Sequence, residues 1–144
     1  MTIKKLSLHQ AEHVAHALAK EIMDWEEEPI PPFHTRHPGK LESCLSEPFQ
    51  TFDGKPLHRT FIKRAAVMFY LITKNHCFSN GNKRMAVTLT MAFFYINKRW
   101  LNVPAMKLYE VARDVASSQP KDKQTMIEAL VILFKKYEEK LSEK

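Results

Sequence analysis

Residues 76–96 decide the fold, and they read HCFSNGNKR followed by MAVTLTMAFFYI. The second part is apolar almost throughout, which is typical of a helix buried on most of its faces. The first part is polar and contains Gly81, one of three glycines in the chain. The stretch therefore predicts a buried helix with its polar chemistry gathered at the helix N-terminus.

The residues at the start of this helix favour a bound anion. Gly81 permits a tight turn with the backbone close to a ligand, and Asn82 can cap the helix that follows. The N–H groups and the dipole at a helix N-terminus attract negative charge. Lys83 and Arg84 add full positive charges, and a guanidinium can hold a phosphate through two parallel hydrogen bonds.

A histidine precedes the predicted anion site. We expect Phe78 to anchor the loop in the core, which would place His76 beside a bound phosphate. A neutral imidazole there can accept a proton from an attacking hydroxyl. The combination predicts transfer of a phosphate-containing group from a nucleotide.

Periodicity along the rest of the chain predicts one all-α domain over residues 1–144. Ser7 and Gln10 fit a capping box. The segment PFQTFDGKPLHR carries an Asp-Gly turn signal and is interpreted as a protruding loop or small hairpin. Six helices are predicted. The first covers roughly residues 8–25, the second is short and ends before Pro48, and the third runs from Thr60 to the motif. The fourth runs from just after Gly81 to about residue 97, and the last two cover about 104–117 and 121–141.

Composition and charge narrow the class of protein. Apolar residues make up 44% of 144 residues, which is a globular composition. We expect a soluble, cytoplasmic protein, because there is no secretory leader and no apolar run of the ~20 residues that a membrane span needs. The net charge of +6 attracts polyanions, yet acids alternate with the basic residues, and the tail KKYEEKLSEK is interpreted as a solvated helix end. Nucleic acid is therefore not the favoured partner.

Several residues have both a functional and a structural interpretation. His9, His13 and His16 lie one turn apart and can bind Zn²⁺, but no further ligand has the right spacing, and exposed helix histidines are favoured. Cys44 and Cys77 have no metal or redox spacing and are expected to be reduced, with Cys77 a small buried filler. Two further residues, Phe49 and Phe52, either face a target or pin their loop to the core.

The stretch His76–Arg84 resembles the motif H-x-F-x-[D/E]-G-N-[G/K]-R of the Fic/Doc family. The matching residues are His76, Phe78, Gly81, Asn82, Lys83 and Arg84. Lys83, where many Fic enzymes have a second glycine, makes the match nearer the Doc (death-on-curing) branch. The resemblance extends over about residues 41–97 and implies a helical bundle with a β-hairpin-like flap for target docking, here Phe49, Gln50, Thr51 and Phe52.

The resemblance implies a role for each motif residue. His76 is the general base toward a target hydroxyl, and Gly81, Asn82, Lys83 and Arg84 bind nucleotide phosphates. ATP is the expected substrate and Mg²⁺ the expected cofactor. A Doc-like enzyme transfers the γ-phosphate of ATP to a translation elongation factor, whereas most Fic enzymes transfer AMP. We expect the Doc-like activity, with AMP transfer as the alternative.

Three positions depart from the family pattern. Asn80 stands where a carboxylate helps to hold Mg²⁺, which predicts weakened metal binding or a degenerate, non-catalytic nucleotide or partner binder. Cys77 replaces a common proline. Val87 replaces a second arginine of many AMP-transferring members.

The resemblance also bears on regulation. The family's inhibitory motif, S/T-x-x-x-E-G/N, is absent, since Pro48 follows the nearest string, Ser43 to Glu47. Doc-like toxins are silenced by a separate small antitoxin protein, so such a partner is implied. A basic chain suits an acidic partner segment.

Overall fold

The computed structural model describes residues 2–15, 38–77 and 81–141. Within these ranges the chain is mostly helical, with two small two-stranded antiparallel sheets. The predicted all-α fold with a hairpin-like flap is therefore confirmed. Phe78, Asn80, His16 and the rest of residues 16–37 lie outside the described residues.

The first helix begins at the predicted capping box. The side-chain oxygen of Ser7 accepts the Gln10 N–H at 3.1 Å, and the Gln10 side chain accepts the Ser7 N–H at 3.0 Å. Helix α1 spans Leu8–Gln10 and continues as a π-helical turn over Ala11–Ala15. The expected regular α-helix is thus replaced by a π-helix over its second turn, and its remainder lies outside the described residues.

The flap is a short β-hairpin with two residues in each strand and two in the connecting turn. Helix α2 (Pro38–Ser46) leads into a 3-10 turn (Glu47–Phe49), after which β1 (Thr51–Phe52) pairs with β2 (Lys55–Pro56). Asp53 and Gly54 connect the strands with φ of 54° and 77°. Two consecutive positive φ values match the right-handed twist of the flanking strands, and Asp-Gly adopts them readily. Of the two forms predicted for this segment, a protruding loop or a small hairpin, the structure shows the hairpin.

Two adjacent helices form the centre of the domain. Helix α3 (Phe61–Lys74) begins at Thr60, whose hydroxyl accepts the Lys63 N–H at 3.1 Å, and helix α4 (Asn82–Ile96) packs against it. Aromatic rings join them: Phe61 contacts Phe93 and Phe94 with ring centroids 4.8 Å apart in each pair. The C-terminal end of α4 is thereby fixed to the core, and α4 is buried along most of its length, as the apolar sequence predicts.

The C-terminal part corrects one prediction. Helix α5 (Ala105–Ser117), a 3-10 turn (Pro120–Asp122) and helix α6 (Lys123–Tyr137) follow the expected order. The last helix was expected to continue to about residue 141, but Glu138–Lys140 forms β4 instead and pairs with β3 (Arg99–Leu101). The chain leaves the helix because β3 offers backbone partners, and because Arg99 forms an ion pair with Glu138.

None of the helices in the described ranges combines the length and apolar character that crossing a bilayer requires.

Candidate functional site

The predicted general base lies just beyond the end of α3. His76 is exposed to solvent, and its φ of 50° places a non-glycine residue in the left-handed region. Histidine visits this region more readily than most side chains, but the conformation still costs free energy. Cys77, the next residue, is completely buried. The backbone therefore turns sharply, with the imidazole on the solvent side and the thiol inside.

Gly81 begins α4 in the way a glycine-specific turn requires. Its φ is 72°, and its carbonyl accepts the Met85 N–H at 2.9 Å, which is the first hydrogen bond of the helix. Gly81 is thus the N-cap, and Asn82 is the first helical residue. The expectation that Asn82 caps the helix is wrong, because the chain turns through a left-handed glycine and Gly81 occupies the N-cap position.

The remaining predicted phosphate ligands differ in depth. Lys83 is half-buried, whereas Asn82 is 8% exposed and Arg84 only 2% exposed. Arg84 is among the largest fully buried side chains described, and its carbonyl accepts the Thr88 hydroxyl at 3.0 Å. The buried guanidinium brings a permanent positive charge to the first turn of α4, where the helix dipole has the same sign.

The residues around the motif carry charges of one sign, a feature that the motif itself does not show. Between Asp53 and Glu110 the chain carries ten lysine and arginine residues and no carboxylate side chain. Acidic and basic residues are interleaved elsewhere in the chain, but from Gly54 through α3, the motif and α4 every charged side chain is a lysine or an arginine. A segment with charges of one sign focuses a positive potential that attracts phosphates. The spacing of acidic residues along the sequence would have been enough to detect it.

His58 lies between the flap and α3, and its pKa reflects burial first and the neighbouring cations second. Its pKa is lowered from the ordinary value, first by desolvation and then by Lys63, with Arg64 and Lys123 acting in the same direction and Glu47 opposing them. The Nδ1 atom of His58 is buried without a hydrogen-bond partner. Its carbonyl accepts the Arg64 Nε–H at 2.8 Å, which ties the flap's end to α3.

The two flap phenylalanines have different environments. Phe49 packs edge-on against Phe93 with centroids 6.0 Å apart, and the Arg64 guanidinium lies 4.7 Å from the Phe49 ring centroid. Phe52 is 74% exposed, and its neighbours Gln50 and Thr51 are exposed too. Of the two readings, pinning to the core applies to Phe49, while Phe52 is available to a partner.

The donor set for a divalent cation is poor in the described part of the site. Residues 2–15, 38–77 and 81–141 contain no cluster of three or more histidine, cysteine or acidic side chains. His9 and His13 are exposed with stacked rings 6.0 Å apart, in agreement with the favoured reading of exposed helix histidines. Asn80, the predicted metal position, lies outside the described residues. Since residues 54–109 contain no carboxylate, the motif segment does not fit a Mg²⁺ ion held by charged protein ligands.

Comparison with known proteins identifies the family. The model of the Fic/DOC family matches residues 5–94, which include the flap, α3, the motif and most of α4. The chain belongs to the Fic/Doc family. Membership supports, in general terms, a nucleotide-dependent transferase that modifies proteins. Searches of curated proteins and of solved structures found no match to this chain.

Proposed function

We propose that this protein is a Doc-like transferase that moves the γ-phosphate of ATP to a serine or threonine hydroxyl of a cytosolic protein, such as a translation elongation factor. One observation carries the proposal. An exposed histidine, held in a left-handed conformation, lies five residues before a helix N-terminus that has a left-handed glycine and a buried arginine. Strained residues of this kind cluster at catalytic sites.

Each motif residue has a role in this proposal. His76 accepts the proton of the target hydroxyl as its oxygen attacks the phosphorus. Gly81 lets the phosphates approach the backbone, Asn82 and Lys83 hold them, and Arg84 stabilises the charge that develops. The exposed flap residues Gln50, Thr51 and Phe52 align the target segment, and Phe49 holds the flap against α4.

Phosphate transfer is favoured over AMP transfer by two positions. Lys83 replaces the second glycine of many AMP-transferring relatives. Val87, at the position of their second arginine, is completely buried in the core, so no polar contact to a phosphate is available from that side chain. AMP transfer remains the alternative chemistry.

Asn80 defines a second candidate function. Without a carboxylate in the motif segment, Mg²⁺ would be held mainly by the nucleotide's own phosphates, which weakens the productive complex. A catalytically degenerate protein that binds a nucleotide or a partner is therefore the alternative from a different class. Mg²⁺, when bound, would neutralise phosphate charge. His76, Lys83 and Arg84 would orient the reactants in either case.

A partner is part of the proposal. An acidic antitoxin segment fits the positive stretch between Asp53 and Glu110, because complementary charge speeds association and fixes orientation.

The test is a labelling assay in bacterial lysate with Mg²⁺, using ATP labelled at either the γ- or the α-phosphate. The variants are wild type, His76→Ala and Asn80→Asp. His9→Ala serves as the matched control, since it removes another exposed histidine outside the motif. We expect a γ-labelled protein band with wild type and His9→Ala that is lost with His76→Ala.

Other outcomes assign the alternatives. An α-labelled band would replace the kinase proposal with AMP transfer. Labelling by Asn80→Asp alone would establish the degenerate binder and identify the missing carboxylate as its cause. Equal labelling by wild type and His76→Ala would refute the assignment of His76 as the base.

A further inference from the structure

Two buried thiols meet beside the motif. The Sγ atoms of Cys44 and Cys77 lie 3.5 Å apart, although 33 positions separate them in the chain, and both cysteines are free. Both residues have 0% exposure. Cys44 lies on α2, and Cys77 directly follows His76. The contact therefore joins the segment that leads into the flap to the segment that carries the predicted base.

We propose that Cys44 and Cys77 form a regulatory disulfide, and that a hydroperoxide such as hydrogen peroxide is the oxidant that forms it. The regulatory part rests on the proposed transferase function, whereas bond formation does not. The bond would need the sulfur atoms to approach by about 1.5 Å from their separation of 3.5 Å. Such a movement is small enough for local adjustment of two packed segments.

The chemistry of the pair favours reaction at Cys44. The Asn75 amide donates to Cys44 Sγ at 3.4 Å. The pKa of the Cys44 thiol is lowered chiefly by the hydrogen bond with Cys77, then by Asn75, against opposing effects of burial and Glu47. The same hydrogen bond raises the pKa of Cys77, and burial raises it further. Cys44 is therefore the more readily ionised thiol, which would react first, and Cys77 would be the resolving thiol.

The reaction balances in two steps. The Cys44 thiolate attacks one peroxide oxygen, so that an S–O bond forms, the O–O bond breaks and, after protonation, water and a sulfenic acid result. Cys77 sulfur then attacks Cys44 sulfur, so that the S–S bond forms and a second water leaves. Two thiols lose two electrons and two protons, and the peroxide is reduced to water. A peroxide molecule is small enough to enter on local opening beside the exposed residues Asn75 and His76.

The expected consequence is a slower transfer reaction. His76 and Cys77 are consecutive residues. If the Cys77 sulfur moves toward Cys44 when the bond forms, the backbone it shares with His76 moves too, and the imidazole is displaced. A displacement of about 1 Å at a catalytic group can reduce the rate about 100-fold. We expect γ-phosphate labelling to fall at least about tenfold on oxidation and to recover with a thiol reductant.

The first measurement is independent of activity. The full chain is treated with hydrogen peroxide, alkylated and digested with trypsin, and mass spectrometry is used to find a peptide pair linked through Cys44 and Cys77. We also expect the melting temperature to rise by about 5–10 °C, because the bond closes a long loop in the unfolded chain. Absence of the linked pair, with both thiols alkylated after unfolding, would overturn the proposal.

The second measurement compares labelling by reduced and oxidised protein. Cys44→Ala and Cys77→Ala are the controls, because peroxide oxidises the chain's seven methionines in every variant but can form the disulfide only in wild type. Loss of labelling in wild type alone supports the switch. A linked protein that labels normally refutes regulation.

If the reduced protein labels no target, His76 still reports on the switch. The NMR signals of the His76 imidazole are identified by their loss in His76→Gln. Their chemical shifts are then compared between the reduced and the oxidised protein. A shift confined to wild type supports the coupling of the disulfide to the motif, and unchanged resonances refute it. The disulfide and the transferase function therefore fail separately.

Discussion

His76 has a backbone conformation that costs free energy, and its side chain gains little packing in return. A φ of 50° is unfavourable for a residue with a Cβ atom, and an exposed imidazole offers little packing in return. A residue chosen for stability at this position would be glycine. The histidine at this position is consistent with the proposed use of its side chain as the base.

Substitution of His76 tests this directly. We expect His76→Gly to be more stable than His76→Ala by about 1 kcal/mol, because glycine adopts a positive φ without strain. Both variants should lose labelling if the imidazole is the base. The measurement is urea unfolding followed by circular dichroism.

His13 supplies the matched control. It is exposed and lies in a helical turn (Ala11–Ala15), so His13→Gly should be less stable than His13→Ala by about 0.5–1 kcal/mol. If glycine were the worse substitution at both positions, the left-handed conformation of His76 would be contradicted.

His58 predicts a pH dependence. Its pKa in the folded protein lies below the ordinary value of 6.5, so the unfolded chain binds the proton more readily. Its contribution to stability is therefore fully present above pH 6.5 and declines as the pH falls toward the lower folded pKa. We expect His58→Gln to lose less stability than wild type between pH 7.5 and pH 5, as measured by chemical denaturation.

His9→Gln is the control for this prediction, since that histidine is exposed on α1. It should follow the wild-type profile. Parallel profiles for wild type and His58→Gln would show that desolvation and the neighbouring cations do not affect His58 in the folded state.

At the scale of elements, the pairing of β3 with β4 joins the segment after α4 to the segment after α6. The Asn102 N–H donates to the Tyr137 carbonyl at 2.9 Å, and the Leu141 N–H donates to the Lys98 carbonyl at 3.1 Å. Arg99 contacts Glu138, and its guanidinium lies 4.9 Å from the Phe61 ring centroid. The ion pair therefore links this sheet to the aromatic core.

Removing the two acidic partners in β4 should have unequal effects. The side chains of Arg99 and Glu138 are 27% and 22% exposed, so Glu138→Ala leaves a partly desolvated arginine and should cost about 1.5 kcal/mol. Glu139 makes an exposed hydrogen bond with Asn102, and Glu139→Ala should cost about 0.5 kcal/mol or less. Urea denaturation measures both. Equal costs would contradict the anchoring role of the Arg99–Glu138 pair.

At the scale of the whole molecule, Phe94 connects three helices. Its ring packs edge-on against Phe61 of α3 at 4.8 Å and against Phe134 of α6 at 5.8 Å, while Phe94 itself belongs to α4. The C-terminal helix thereby stabilises the helix whose start forms the candidate site. The family match ends at Phe94, so α6 supports the site from outside the matched region.

Two neighbouring aromatic residues provide a test. Phe94→Ala should cost about 3–5 kcal/mol, because it removes a completely buried ring from the contact of three helices. Tyr95→Ala should change stability by about 0.5 kcal/mol, since Tyr95 is 61% exposed. Thermal and urea unfolding measure the difference. Similar costs would contradict the orientation of α4, which buries Phe94 and exposes Tyr95.

Local sequence patterns were sufficient to predict much of the fold. The helices Phe61–Lys74, Asn82–Ile96 and Ala105–Ser117 follow the predicted ranges closely, and the Asp-Gly hairpin occurs as expected. These features depend on residues close together in the chain: capping side chains, helical periodicity and turn residues that accept positive φ. The same local logic misassigned the cap of α4, because it assumed a regular N-cap where the chain turns at a left-handed glycine.

The sequence by itself determined the helical class, the hairpin, the motif and, through it, the family. Only the tertiary structure decided that Cys44 meets Cys77, that Arg84 is buried and that the chain's last described strand pairs with β3. The reason is physical. Helices and turns are governed by neighbours within a few residues, whereas these contacts join segments far apart in the chain. They form only when packing of the whole core repays the entropy of closing the loops between them.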